Sequence, residues 1–204
     1  MMLIDVAHQE NSKTFPAASV VQRLKAFAYD SLIILVYILI LFVAFGSMHI
    51  FIGPLESLSP LFASPIILDG MAFVLLIFPV ILYFTVRECS PAQATFGKRM
   101  AGLGVVNRKG GALTPLRACL RSTLKFLPWQ LAHTCVYQSV AMRSSAAPSL
   151  LIGVGFVLVY VLAGSYLASA WLTKQRRTPY DWVSGAYVVN QQKSNNQLKI
   201  ERKE

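Results

Sequence analysis

The sequence predicts an all-α membrane protein, a four-span helical bundle over a basic cytoplasmic layer, and three observations lead there. The 204-residue chain is 55% apolar and only 14% charged, with a mean hydropathy of +0.53, outside the range of soluble domains. It also holds uncharged runs long enough to cross about 30 Å of hydrocarbon at about 1.5 Å per residue. Finally, the net charge of +10 comes from basic residues that flank the apolar runs. Nucleic-acid binding would want them interleaved with aromatics on a soluble fold, and is not expected.

Residues 1–19 are polar and mixed, with Pro16 ending any helix, and read as a loose cytoplasmic tail. The first span covers 26–52, preceded by Arg23 and Lys25 at headgroup level; its one carboxylate is Asp30. Although Ala44-Phe45-Gly46 resembles a cleavage site, the run is too long for a signal-peptide core and reads as a signal anchor. A loop with Glu56 and no Lys or Arg leads to the second span, 66–86, which has Asp69 near its start and Pro79 inside. That proline predicts a structural kink in preference to a gating hinge.

Residues 87–125 form a loop with eight Lys or Arg and one acid, Glu88. Arg117, Arg121 and Lys125 recur there at four-residue spacing and share a helical face beside a stripe of Leu116, Leu120 and Leu124. That pattern fits a helix lying on an anionic leaflet, or the lead-in to a span. The third run, 126–142, is polar for a span, with Pro128, Gln130, His133, Thr134 and Gln138, whereas 149–172 is uncharged throughout.

Charge placement decides the third run. If it crosses, three basic residues before the first span, eight in the loop and seven from Lys174 onward all face the cytoplasm, leaving Arg143 alone outside. Four spans in the bacterial inner membrane with both termini cytoplasmic are therefore preferred, with three spans as the alternative. The spanning domain covers 20–190, and 191–204 is a polar basic tail.

Thr95 to Asn107 aligns without gaps to Thr178 to Asn190, matching at Thr, Gly, Val, Val and Asn. The similarity fits two copies of a unit of two spans plus a strand-like segment, related by an axis along the membrane normal, and equally a convergent amphipathic pattern. The Val105-Val106 and Val188-Val189 runs are then expected to pair as a small sheet under the bilayer.

The odd count of three cysteines, without CxxC or Cys/His spacing, argues against disulfides and a metal site; no cofactor is expected either. HExxH, GxSxG and P-loop motifs are missing, so no catalytic residues are named and an enzyme is not expected. A charge at the centre of a spanning helix costs about 2.5–3.5 kcal/mol, so Asp30 needs a partner, a proton or a water-filled cavity. Arg23 lies two turns earlier on the same face of the helix. Arg23, Asp30 and Asp181 form the candidate polar site, with Asp181 expected to bridge to Arg23, Arg99 or Arg177. Lys98, Arg99, Asp69 and His133 are secondary candidates: the first two as loop charges for docking, Asp69 as a solvated or helix-capping group, His133 as a packing residue or a proton relay.

Three segments together resemble the RDD family of bacterial membrane proteins. They are Arg23-Leu24-Lys25-Ala26-Phe27-Ala28-Tyr29-Asp30, Thr95-Phe96-Gly97-Lys98-Arg99-Met100-Ala101-Gly102-Leu103-Gly104-Val105-Val106, and Arg176-Arg177-Thr178-Pro179-Tyr180-Asp181-Trp182-Val183-Ser184-Gly185. Arg23, Asp30 and Asp181 match the arginine and the two aspartates of the family's name. The resemblance implies the membrane fold, and suggests ion or solute transport for some members. It departs at Tyr180-Asp181-Trp182, where the family usually has His-Asp followed by a basic residue. The expected function is movement, or help in the movement, of an ion or small solute at Arg23 and Asp30. A non-transporting scaffold is the alternative. Expected partners are the bilayer, anionic lipid headgroups and a second copy of the chain, since one chain is small to enclose a path.

Overall fold

The computed structural model describes residues 16–52, 64–142 and 150–191. Glu56, Arg143 and most of both tails lie outside the described residues. Four long helices are present among them: α1 (Val20–Ile52), α2 (Pro65–Cys89), α4 (Pro115–Ala141) and α5 (Leu150–Leu172). Between α2 and α4 come the five-residue α3 (Phe96–Met100) and β1 (Leu103–Val106). After α5 come α6 (Pro179–Ser184) and β2 (Tyr187–Asn190).

Helices α1, α2 and α5 are long and apolar enough to cross a membrane. Their large apolar side chains stay outward, as with Phe42 on α1, 79% exposed, and Leu150 on α5, 83% exposed. In water such faces would be driven together; in a bilayer, lipid tails cover them. Helix α4 has 27 residues but is more polar, and packs against both α2 and α5. Inside, Ile77, Val80, Ile81 and Phe84 of α2 meet Phe126 of α4, with Ile34 of α1 against them.

Each proline in a long helix removes the amide that would bond the carbonyl four residues back. For Pro79 that carbonyl is Leu75 O, and the Tyr37 hydroxyl of α1 donates to it at 2.6 Å. For Pro128 it is Leu124 O, which receives the Tyr166 hydroxyl of α5 at 2.7 Å. Away from water an unpaired carbonyl costs several kcal/mol, so two tyrosines both satisfy the kinks and stitch α1 to α2 and α4 to α5. A π-helical turn, Phe73–Ile77, absorbs the irregularity before Pro79. The carbonyl that Pro79 frees is thus satisfied by a neighbouring helix.

At one end of the long helices the short elements form a separate layer. Strands β1 and β2 pair antiparallel, with Leu103 opposite Asn190, Gly104 opposite Val189, Val105 opposite Val188 and Val106 opposite Tyr187. The expected pairing is therefore present, and its register is informative: Val105 and Val188, equivalent in the sequence alignment, lie directly opposite one another. Such a register is what a two-fold axis through that pair demands. The flanking geometry repeats too. Thr95 and Thr178 cap the short helices, and Gly102 and Gly185 end both turns at φ of 66°, a left-handed conformation glycine adopts freely.

Outer edges of both strands are also used. Val105 N–H donates to Gln93 O at 2.7 Å, and Ala18 N–H to Val188 O at 3.1 Å. Residues 16–18 thus belong to this layer, correcting the expectation of a tail loose up to Ser19; Asn190 N–H closes on Pro16 O at 2.9 Å. Beneath the strands, Ala18 and Ala26, Leu103, Val105, Ala118 and Val188 make a small core. The starts of α1 and α4 and the chain leaving α2 and α5 all meet there.

The basic face of α4 is split between surface and interior. Arg121 is 2% exposed, whereas Leu116 is 79% and Leu120 41% exposed. Of the two expectations for this stretch the leaflet-lying helix is corrected: Arg121 turns inward to two buried carboxylates and Lys125 rests on aromatic rings, while Arg117 stays exposed beside Leu116.

Candidate functional site

A chain of buried ion pairs sits between the bundle and the end layer. Arg121, projecting from the second turn of α4, is its hub. Its Nη1 donates to both Glu88 oxygens at 2.7 and 2.6 Å, while Nε and Nη2 reach Asp181 Oδ1 at 2.9 and 2.7 Å. Lys98 Nζ adds a second cation to Glu88. Arg23 Nη1 adds a second to Asp181, donating to Oδ2 at 3.0 Å. Glu88 and Asp181 are fully buried. The network ties α1, α2, α3, α4 and α6 together through four ion pairs.

The two similar segments both contribute to it. Asp181 and Lys98 occupy equivalent places, each the third residue of a short helix, but carry opposite charge and so choose opposite partners. Asp181 also accepts from Thr178 N–H at 3.2 Å, which fixes its rotamer at the start of α6. Burial by itself would raise its carboxyl, but Arg121, Arg23 and the Thr178 amide prevail and hold it well below the usual carboxylate range. Burial pushes the Lys98 ammonium below its ordinary value, against the pull of Glu88.

Asp30 lies beside this network without joining it. It is 1% exposed and accepts from three neutral donors: Thr95 Oγ1 at 2.6 Å, Gly97 N–H at 2.8 Å and Tyr83 Oη at 3.0 Å. Tyr83 Oη in turn accepts from Phe96 N–H at 3.1 Å. Asp30 thus receives the start of α3 much as an anion is received at a helix terminus, while α2 supplies the phenol. Gly97 is needed for the approach. A methyl there would overlap Ala26 O and come within 2.8 Å of Asp30 Cγ.

The expected Arg23 and Asp30 pair is therefore corrected. They share one side of α1, but Arg23 bonds Asp181, over 150 residues away in sequence, and Asp30 bonds uncharged groups. Asp181 does bridge to Arg23, and Arg177 Nη2 donates to its backbone carbonyl at 3.0 Å; Arg99 stays exposed. Lys98 is a buried structural cation, not a docking charge.

Near the other end of α2, Asp69 accepts from Gln130 Nε2 and Thr134 Oγ1, both at 2.8 Å. It is a helix-packing acceptor between α2 and α4, where a solvated or capping group was expected. His133 Nδ1 meets Trp129 O at 2.8 Å and its ring neighbours Tyr137, both within its own helix.

Sequence reasoning passed over Glu88, Arg121, Tyr83, Thr95 and Gly97. Glu88 left one signal: it is the lone acid among eight basic residues of its stretch. Lys125 is a further surprise. Its amine has no hydrogen-bond acceptor among the described residues and rests on aromatic faces, 3.6 Å from the Phe84 ring centre, 5.0 Å from Phe126 and 5.6 Å from Phe27. Among the described residues no three His, Cys, Asp or Glu side chains converge to hold a metal ion.

Compared with known families, residues 17–185 match the family model described as RDD family. No curated protein and no solved structure matches the chain.

Proposed function

This chain belongs to the RDD family and is a multi-pass integral membrane protein, and we propose that it moves, or helps to move, an ion or small charged solute past the cytoplasmic end of its bundle. The observation that carries this reading is the bonding of Asp30. Among the described residues the other buried carboxylates of the end layer, Glu88 and Asp181, are locked in ion pairs, whereas Asp30 is held by two hydroxyls and one amide. It can take up a proton or cation and release it again without breaking the ion network around it. A carboxylate at membrane depth is costly to keep and marks function by default.

Four spans with both termini cytoplasmic complete the proposal. The starts of α1 and α4 and the ends of α2 and α5 share one layer, so if α5 crosses, the chain must already have crossed between residues 115 and 150. Helix α4, about 40 Å long at 1.5 Å per residue, is the segment available for it. The exposed basic residues of this layer, among them Arg99, Arg108, Arg117 and Lys174, then face the cytoplasm of the inner membrane. A second copy, docked on the apolar faces of α1 or α5, would enclose the path that one chain is too small to form. The scaffold reading, with this layer docking a partner, is favoured by the extent to which ion pairs rigidify it.

Flux in proteoliposomes separates them. Transport through Asp30 predicts that Asp30→Asn abolishes flux while Asp30→Glu retains it with a shifted pH dependence. Unchanged flux in both variants would contradict transport at this residue.

A further inference from the structure

Arg23 has a free edge. Its Nη1 is occupied by Asp181, but Nε and Nη2 are buried and have no hydrogen-bond partner among the described residues. These two N–H groups lie along one side of the planar guanidinium and form the parallel fork that carboxylates and phosphates accept in bidentate fashion. A largely buried guanidinium with the donors of two of its three nitrogens unused is a standing cost, larger than for a neutral group. Arg177 shows the satisfied alternative: its Nε bonds Ala186 O, Nη2 bonds Asp181 O, and Nη1 reaches the Tyr187 hydroxyl.

The carboxylates of the ion network are already engaged. Asp181 Oδ2 already accepts from Arg23 and from Thr178 N–H, and both oxygens of Glu88 are taken by Arg121 and Lys98. Lys125, also without an acceptor among the described residues, lies over Phe27, one turn along α1 from Arg23. Arg23 itself stands in the first turn of α1, at the depth where a spanning helix meets phosphate groups.

We propose that the Nε and Nη2 edge of Arg23 binds a phosphate oxyanion, from a phospholipid headgroup or from a soluble phosphate. The site goes beyond the transport reading, resting on it only for the headgroup depth of Arg23. An anion there completes the donor set of α1 at the point where α1 joins the ion network. The depth of the site favours a phosphodiester whose acyl chains remain among the exposed apolar residues of α1.

Full-length protein, purified in detergent and stripped of native lipid, is titrated with dihexanoyl phosphatidylglycerol and separately with inorganic phosphate, with binding read by calorimetry and native mass spectrometry. One saturable site per chain is expected. Arg23→Lys keeps the charge beside Asp181 but removes the fork, and should weaken binding about tenfold. Arg99→Gln, an exposed charge of the same layer, should leave it unchanged. Saturation by the short-chain lipid alone assigns the headgroup as source, and saturation by inorganic phosphate assigns a soluble oxyanion. Absence of saturable binding in both titrations overturns the site, as does equal weakening by Arg99→Gln. Should Arg23→Lys not fold, the wild-type titrations and Arg99→Gln decide between the same outcomes. No gradient is involved, so a failure here leaves the flux reading standing, and a failure of flux leaves this binding measurable.

Discussion

Glu88→Ala is expected to destabilise the protein by about 3–5 kcal/mol, the usual cost of stripping one partner from a buried ion pair. The carboxylate is fully buried, and its removal strands Lys98 and half of the Arg121 guanidinium where no water can replace it. Unfolding in detergent, followed by circular dichroism, measures the loss. Arg99→Ala, an exposed charge one residue from Lys98, should change stability by less than about 0.5 kcal/mol. Replacing Glu88 by Gln together with Lys98 by Met should recover part of the loss, because the second change removes a stranded cation. A Glu88→Ala effect no larger than that of Arg99→Ala would mean that the network is solvated and contributes little.

Gly97→Ala should cost about 3 kcal/mol, near the upper end for overpacking, because backbone and a fixed carboxylate bound the site. The added carbon would meet Ala26 O and the Asp30 carboxyl, forcing α3 away from α1 and parting Gly97 N–H from Asp30. Gly164→Ala in α5 is the contrast: nothing lies within 4 Å of a carbon added there, and alanine is the better helix former. That change should be neutral or slightly stabilising. The same unfolding assay reads both, and equal effects would contradict the tight approach of α3 to α1.

These two residues also show where sequence reasoning succeeded and where it stopped. Helices α1, α2 and α5 were legible because lipid rewards long uncharged runs, and the strand pairing because a 13-residue similarity placed Val105 and Val188 in equivalent positions. Gly97 was not legible, since its importance lies in the approach of a helix from elsewhere in the chain. The partner of Asp30 was misjudged for the same reason. Periodicity along α1 puts Arg23 on its side, but the bonding groups come from residues 53 to 67 positions later. The four-residue spacing of Arg117, Arg121 and Lys125 marked a face without saying which way it looked. Arg121 turns in to buried carboxylates, whereas Arg117 one turn earlier stays exposed with Leu116 and Leu120.

All of this rests on four helix ends meeting in one layer on one side of the membrane. Single cysteines at Arg108 and Lys174, both exposed, test it in a background lacking Cys89, Cys119 and Cys135. A membrane-impermeant maleimide should label both in inverted vesicles and neither in intact spheroplasts. Labelling of the two positions from opposite sides would contradict the shared layer.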